Sequence, residues 1–149
     1  SDVLFRDRVQ IVAGEQSNLV RRQKIDLHEL SRERWILPRS DSLAGSAIGD
    51  AFRSRGITFP PSGVIWGGAS LMRAMLPQRD YVGAAPASLL RFGGNLRDLK
   101  VLRVDLPIRP WPVGILTLKR RTPTAVTQYF IDCAREVVGP FVNREGHLR

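Results

Sequence analysis

Between Trp35 and Ser88 a short apolar run gives way three times to a polar or glycine-rich loop that opens a helical pattern. WILP leads through RSDS to LAGSAIGDAFRSRG, VIW through GGAS to LMRAML, and YVGAA into PASLLRF. Apolar runs this short predict buried strands, whereas Leu43, Ala47, Ile48, Ala51 and Phe52 recur at helical spacing. Gly56 suits the position just past that helix, and Pro60-Pro61 breaks the chain before a strand over Val64 to Trp66. Ser70 is then expected as an N-cap, with Leu71, Met75 and Leu76 as the apolar stripe and Pro77 as the stop. Tyr81 to Ala85 predicts a third strand, and Pro86 fits the first turn of a short helix. Strands alternating with helices predict parallel β-α units, which bind ligands where strand C-termini meet helix N-termini.

The flanks are simpler. Residues 3–13, VLFRDRVQIVA, read as one extended segment ending at Gly14, and residues 15–24 as a polar, basic loop. Asp26 to Leu30 predicts a helical turn capped by Asp26. Leu99 to Leu106 and Trp111 to Leu118 read as two more strands around the Pro107 to Pro112 break. In the last helix Thr122 is the expected cap and Pro123 its first residue; Val126, Tyr129, Phe130, Cys133, Ala134 and Val137 mark the face expected to be buried. The tail from Asn143 to Arg149 is polar and expected to fray.

Composition narrows the function classes. With 149 residues, 43% hydrophobic and 25% charged, the chain can bury a core. No apolar run approaches the ~20 residues that span a bilayer, and SDVLFRDRVQ lacks the apolar stretch of a signal peptide, so the cytoplasm is the expected compartment. The chain opens without Met and close to a strand, as expected of a piece of something longer or a processed product. The net charge of +9 invites a nucleic-acid reading, but the excess is spread along the chain and its longest basic run is Lys119-Arg120-Arg121. A scattered basic surface is expected, able to assist weak attraction to DNA beside a dedicated reading domain. Cys133 is the lone cysteine and sits at an apolar helical position, which predicts packing. Two separated histidines and one cysteine provide no metal-ligand cluster, and no cofactor motif is present. There is no G-x-S-x-G elbow, P-loop or G-x-G-x-x-G. Asp26 and Glu29 lie near His28, but on a turn expected to be exposed, and His147 lies in the tail, so no catalytic apparatus is expected.

The candidate sites are the strand-helix junctions. Arg39, Ser40, Asp41 and Ser42 stand where free helix N–H groups and the helix dipole favour an anion, and Arg39 can add a charge-assisted bond. The alternative is a plain cap at Asp41 or Ser42 with a solvated Arg39, and Asp41 itself argues against a purely anionic site. Gly67, Gly68 and Ser70 repeat the arrangement, either as a close backbone approach to a ligand or as a tight turn with a cap. Ala85 and Pro86 would add a third, apolar wall.

The ordered set of LFRDRVQIVAG, KIDLHEL, ERWILPRSDSLAGSAIGDAFRSRGI, GGASLMRAML, YVGAAPASLLRFG, LKVLRVDLP and PVGILTLKRRTPTAVTQYFIDCAREV resembles the effector-binding domain of LysR-type transcriptional regulators over residues 3–138. The resemblance implies an α/β fold. It consists of a three-layer, Rossmann-like subdomain of the periplasmic-binding-protein type (type II) with a mixed, mostly parallel sheet, plus a C-terminal strand and helix of an incomplete second subdomain. Residues 1–14 would form the crossover, 15–108 the effector-binding subdomain and 109–149 the return. The family's helix-turn-helix, linker helix and opening β-α units would precede this stretch. The implied partners are a small effector, a carboxylated one given Arg39, DNA through the helix-turn-helix only, and further copies in the full-length form. The implied contacts are Arg39, Ser40, Asp41, Ser42, Gly67, Gly68, Ser70 and Pro86. The alternative is a solute-binding protein of a transport system, whose fold is of the same kind.

Overall fold

The computed structural model describes residues 2–59, 62–66, 69–78, 81–93, 98–118, 122–142 and 146. The chain divides into two compact units, Val9–Arg109 and the remainder, Ser1–Arg8 with Pro110–Arg149.

The larger unit holds a five-stranded sheet in the order β4-β3-β5-β2-β6, with β2 at Val9–Gly14, β3 at Arg34–Pro38, β4 at Ser62–Trp66, β5 at Tyr81–Pro86 and β6 at Leu99–Val101. β3 pairs in parallel with β4 and β5, whereas β2 is antiparallel to β5 and β6. Four of the five strands therefore run one way and β2 opposes them. The helices α1 (Leu27–Leu30), α2 (Leu43–Ser54), α3 (Ala69–Met75) and α4 (Ala87–Phe92) fall between the strands. Neighbouring strand residues point to opposite faces, and the core follows that rule. Ile36, Val12 and Ala85 cluster with Met72 and Leu76 from α3 and the turn after it. Trp35 instead meets Phe52 of α2 edge to face, at 5.7 Å between ring centres. The sheet thus carries α2 on one face and α3 on the other, giving three layers. Gly56 has φ +67°, as the position past α2 requires.

The smaller unit pairs β1 (Asp2–Asp7) antiparallel with β7 (Trp111–Ile115) and carries α5 (Ala125–Val138). Residues 3–13 are thus two strands in two sheets, broken at Arg8. The strand expected over Leu99 to Leu106 stops at Val101, because the Val104 N–H turns back to the Leu102 carbonyl (3.0 Å) and breaks the ladder; Val104 keeps only a bridge to Ile25. Thr124, not Thr122, caps α5: its hydroxyl accepts from the Thr127 N–H at 3.2 Å, which puts Pro123 before the cap.

The face of α5 also differs from expectation. Ile131 is buried, and Arg135, one turn on, donates to Asp2 of β1 at 2.9 and 2.5 Å. Val126, Tyr129, Phe130 and Val137 are 60–79% exposed, and Cys133 is half-buried. Phe130→Ser should therefore change stability by less than about 0.5 kcal/mol. Ile131→Ala should cost about 2 kcal/mol, and denaturant midpoints of the two variants check the contrast.

Candidate functional site

The parallel strands β4, β3 and β5 set the site. Pro38 lies opposite Trp66, and Ile36 opposite Gly83, so β3, β4 and β5 end at one edge of the sheet, its C-terminal edge. Arg39, Ser40, Asp41 and Ser42 join β3 to α2. Ser42 is the N-cap of α2: its Oγ accepts from the Gly45 N–H at 3.1 Å and its hydroxyl donates to the Arg39 carbonyl at 2.6 Å. The Ser42 N–H donates to the same carbonyl at 3.0 Å. These bonds close the loop onto the first turn of the helix. Gly45 makes that closure possible, since a Cβ there would lie 2.0 Å from the Arg39 carbonyl oxygen and 3.1 Å from that of Pro38.

Arg39 forms a fork on Asp41, Nε to Oδ1 at 2.9 Å and Nη2 to Oδ2 at 2.5 Å, with side chains 69% and 65% exposed. The hydrogen bond to Arg39 holds the Asp41 carboxyl below its usual range, and the same bond raises the guanidinium. The site therefore has a cation with a competitor already on it. Ser40 lines a cavity of about 260 Å³ together with Leu37, Pro38, Gly45, Ser46, Gly49, Arg53 and Phe59. Of these lining residues, only Ser40 was expected at a site; beyond the four-residue spacing of Gly45, Gly49 and Arg53, the others carry no motif or charge pattern in the sequence that marks them.

Ser70 is exposed and is the second residue of α3, so it is not the cap expected from sequence. Gly67 and Gly68 lie outside the described residues. Pro86 ends β5 and stands at the N-cap of α4 with no side-chain bond. Arg39 to Ser42, Ser70 and Pro86 thus all follow or end strands at the same sheet edge. The His28 neighbourhood is an ordinary helix start. Asp26 accepts from the His28 N–H at 2.7 Å, while Glu29 accepts from the Asp26 N–H at 3.3 Å. A hydrogen bond from Arg22, then that from the Asp26 backbone, hold the Glu29 carboxyl below its usual range. Among the described residues no group of three or more His, Cys, Asp or Glu is placed to hold a metal ion. None of the described helices is long and apolar enough to cross a membrane.

The family model for the LysR substrate binding domain matches residues 1–139. The chain belongs to this family. The HTH-type transcriptional regulator GalR of Pseudomonas putida is 24% identical over 130 residues, which cover 86% of this chain and 32% of that protein. The chain thus spans about a third of the length of that LysR-type relative. The regulatory domain of CcmR from Synechocystis PCC6803, solved with 2-PG, superposes with a TM-score of 0.70 at 18% identity, covering 91% of this chain and 65% of that one. The effector binding domain of QuiR, solved with shikimate, gives 0.66 at 19% identity, with 93% and 64% covered. The LysR substrate-binding domain of this chain therefore has the periplasmic-binding-protein-like α/β fold of these effector domains.

Proposed function

We propose that this domain is the ligand-sensing part of a DNA-binding transcriptional regulator and takes a small carboxylated effector at the C-terminal edge of β4, β3 and β5. The observation that carries this reading is Arg39, held beside the N-terminus of α2 by the Ser42 cap. A guanidinium there can turn from Asp41 to a ligand carboxylate, with the helix dipole favouring the same charge. Ser40 and Ser70 supply hydroxyls and Pro86 an apolar wall, while Ser42, whose hydroxyl proton goes to the Arg39 carbonyl, holds the loop. Gly67 and Gly68 complete the proposed contacts. Domains of this fold from CcmR and QuiR carry small ligands, 2-PG and shikimate. The division near Arg8 and Arg109 supports residues 15–108 as the effector-binding subdomain and 109–149 as part of the other. Effector binding would act on DNA through a separate helix-turn-helix domain of a cytoplasmic oligomer, by favouring one of two arrangements that differ in effector affinity. The transport reading is not favoured, since the relative named above is a transcriptional regulator.

Calorimetric titration of small carboxylic acids into the regulator carrying this domain tests the site. Arg39→Ala with Ser70→Ala should weaken binding at least about ten-fold, the worth of one charge-assisted bond. Asp41→Asn removes the competitor and should tighten binding several-fold. Saturable binding unchanged by the double substitution would contradict the assignment.

A further inference from the structure

The larger unit contains a cavity on the flank of α2 whose chemistry differs from that of the Arg39 fork. Gly49 has no side chain to fill the space beside it, and Gly45, one turn earlier, lies close against the Arg39 carbonyl. The cavity, about 260 Å³, has the buried Leu37 and Pro38 at the end of β3 on one side. Phe59 forms another wall and is braced edge to face on Phe52 at 5.3 Å. The Arg53 guanidinium lies over Gly49, its Nη1 only 3.3 Å from where a Cβ would be. Among the described residues Arg53 is engaged only through Nη2, by Asp50. Ser40 and Ser46 add two exposed hydroxyls.

An apolar wall with an aromatic ring, a guanidinium at its edge and two hydroxyls is the recognition set for a small amphipathic anion. The volume lies just below that of drug-sized sites, which limits the occupant to a compact molecule. We propose that this cavity is a second ligand site, binding a small carboxylate with a flat apolar body. The body packs on Phe59, Leu37 and Pro38, and the carboxylate pairs with Arg53. The site lies wholly within Val9–Arg109 and goes beyond the effector reading. It shares only Ser40 with the candidate effector contacts.

Amide chemical-shift mapping on the full 149-residue chain, with phenylacetate as the probe, tests this. Saturable shifts should concentrate at Gly45, Ser46, Gly49 and Phe59. They should weaken at least about ten-fold with Arg53→Gln, or when 2-phenylethanol replaces the acid. Gly49→Leu fills the cavity and should abolish them, and Arg53→Gln keeps the test decisive if Gly49→Leu does not fold. Arg39→Ala should leave them unchanged, which separates this site from the effector site. No saturation at millimolar probe, shifts centred on Arg39 to Ser42, or shifts that survive Arg53→Gln would overturn the proposal.

Discussion

Gly45→Ala is expected to destabilise the protein by about 2–3 kcal/mol and to displace the loop that carries Arg39. Alanine is the better helix former by about 1 kcal/mol, so propensity alone predicts the opposite sign. The added methyl would lie 2.0 Å from the Arg39 carbonyl oxygen and 2.8 Å from its carbon. Both are backbone atoms pinned by the Ser42 N–H and hydroxyl, so the strain falls on the loop or on the first turn of α2, as overpacking costs of this size show. Gly49→Ala is the control. There the nearest atom is the end of the Arg53 side chain at 3.3 Å, which can swing aside, and stability should hold or rise by up to about 1 kcal/mol. Urea unfolding of the two variants, with the amide shifts of Arg39 to Ser42, measures both effects. Equal stability of the two would mean that the loop does not depend on the missing side chain.

Trp35→Ala should cost about 3–5 kcal/mol, the largest loss from one side chain in the larger unit. Trp35 is fully buried, its ring meets Phe52 edge to face, and its Nε1–H donates to the Leu30 carbonyl at 2.7 Å. That bond ties the end of α1 to the strand that delivers Arg39. Trp35→Phe keeps most of the apolar contact and loses one hydrogen bond, about 0.5–1.5 kcal/mol, while the Leu30 carbonyl still accepts from the Glu33 N–H at 3.1 Å. Its cost should therefore fall between those of wild type and Trp35→Ala in equilibrium unfolding. A loss below about 1 kcal/mol for Trp35→Ala would show that the aromatic pair is not central to this face of the sheet.

The strand-loop-helix pattern was legible around β3, α2 and β5, where Trp35 to Leu37, Ile48, Ala51, Phe52, Val82, Ala84 and Ala85 are buried, so local periodicity and tertiary burial agree there. Leu43 and Leu71, expected on the apolar stripes, are instead exposed, and Met72 takes the buried place on α3. The cap at Asp26 and Gly56 after α2 were legible for the same reason, being local chemistry. The break at Arg8 was not. VLFRDRVQIVA holds no glycine or proline to mark a break, and the partner that draws Asp2–Asp7 into its own sheet, Trp111–Ile115, lies more than 100 residues away. The α5 face misled because its strongest apolar stripe is not the side it buries; Ile131 is buried and Arg135 binds Asp2 of β1, while Tyr129 and Phe130 are exposed. At the candidate site Arg39 and Asp41, two residues apart, were recognisable as a conflict of charge, but their fork needed the loop geometry. The cavity on α2 left a readable trace in Gly45, Gly49 and Arg53 at four-residue spacing. Only Phe59, from the next connection, turns that spacing into a pocket.

A small carboxylate is proposed to be received where Arg39 meets the start of α2. A crystal structure of the regulator grown with a carboxylic acid that it binds in solution tests it most directly. The ligand carboxylate is expected within hydrogen-bonding distance of the Arg39 guanidinium, with Asp41 released and Ser42 still capping the helix. A ligand bound elsewhere, with the Arg39 to Asp41 fork intact, would contradict it.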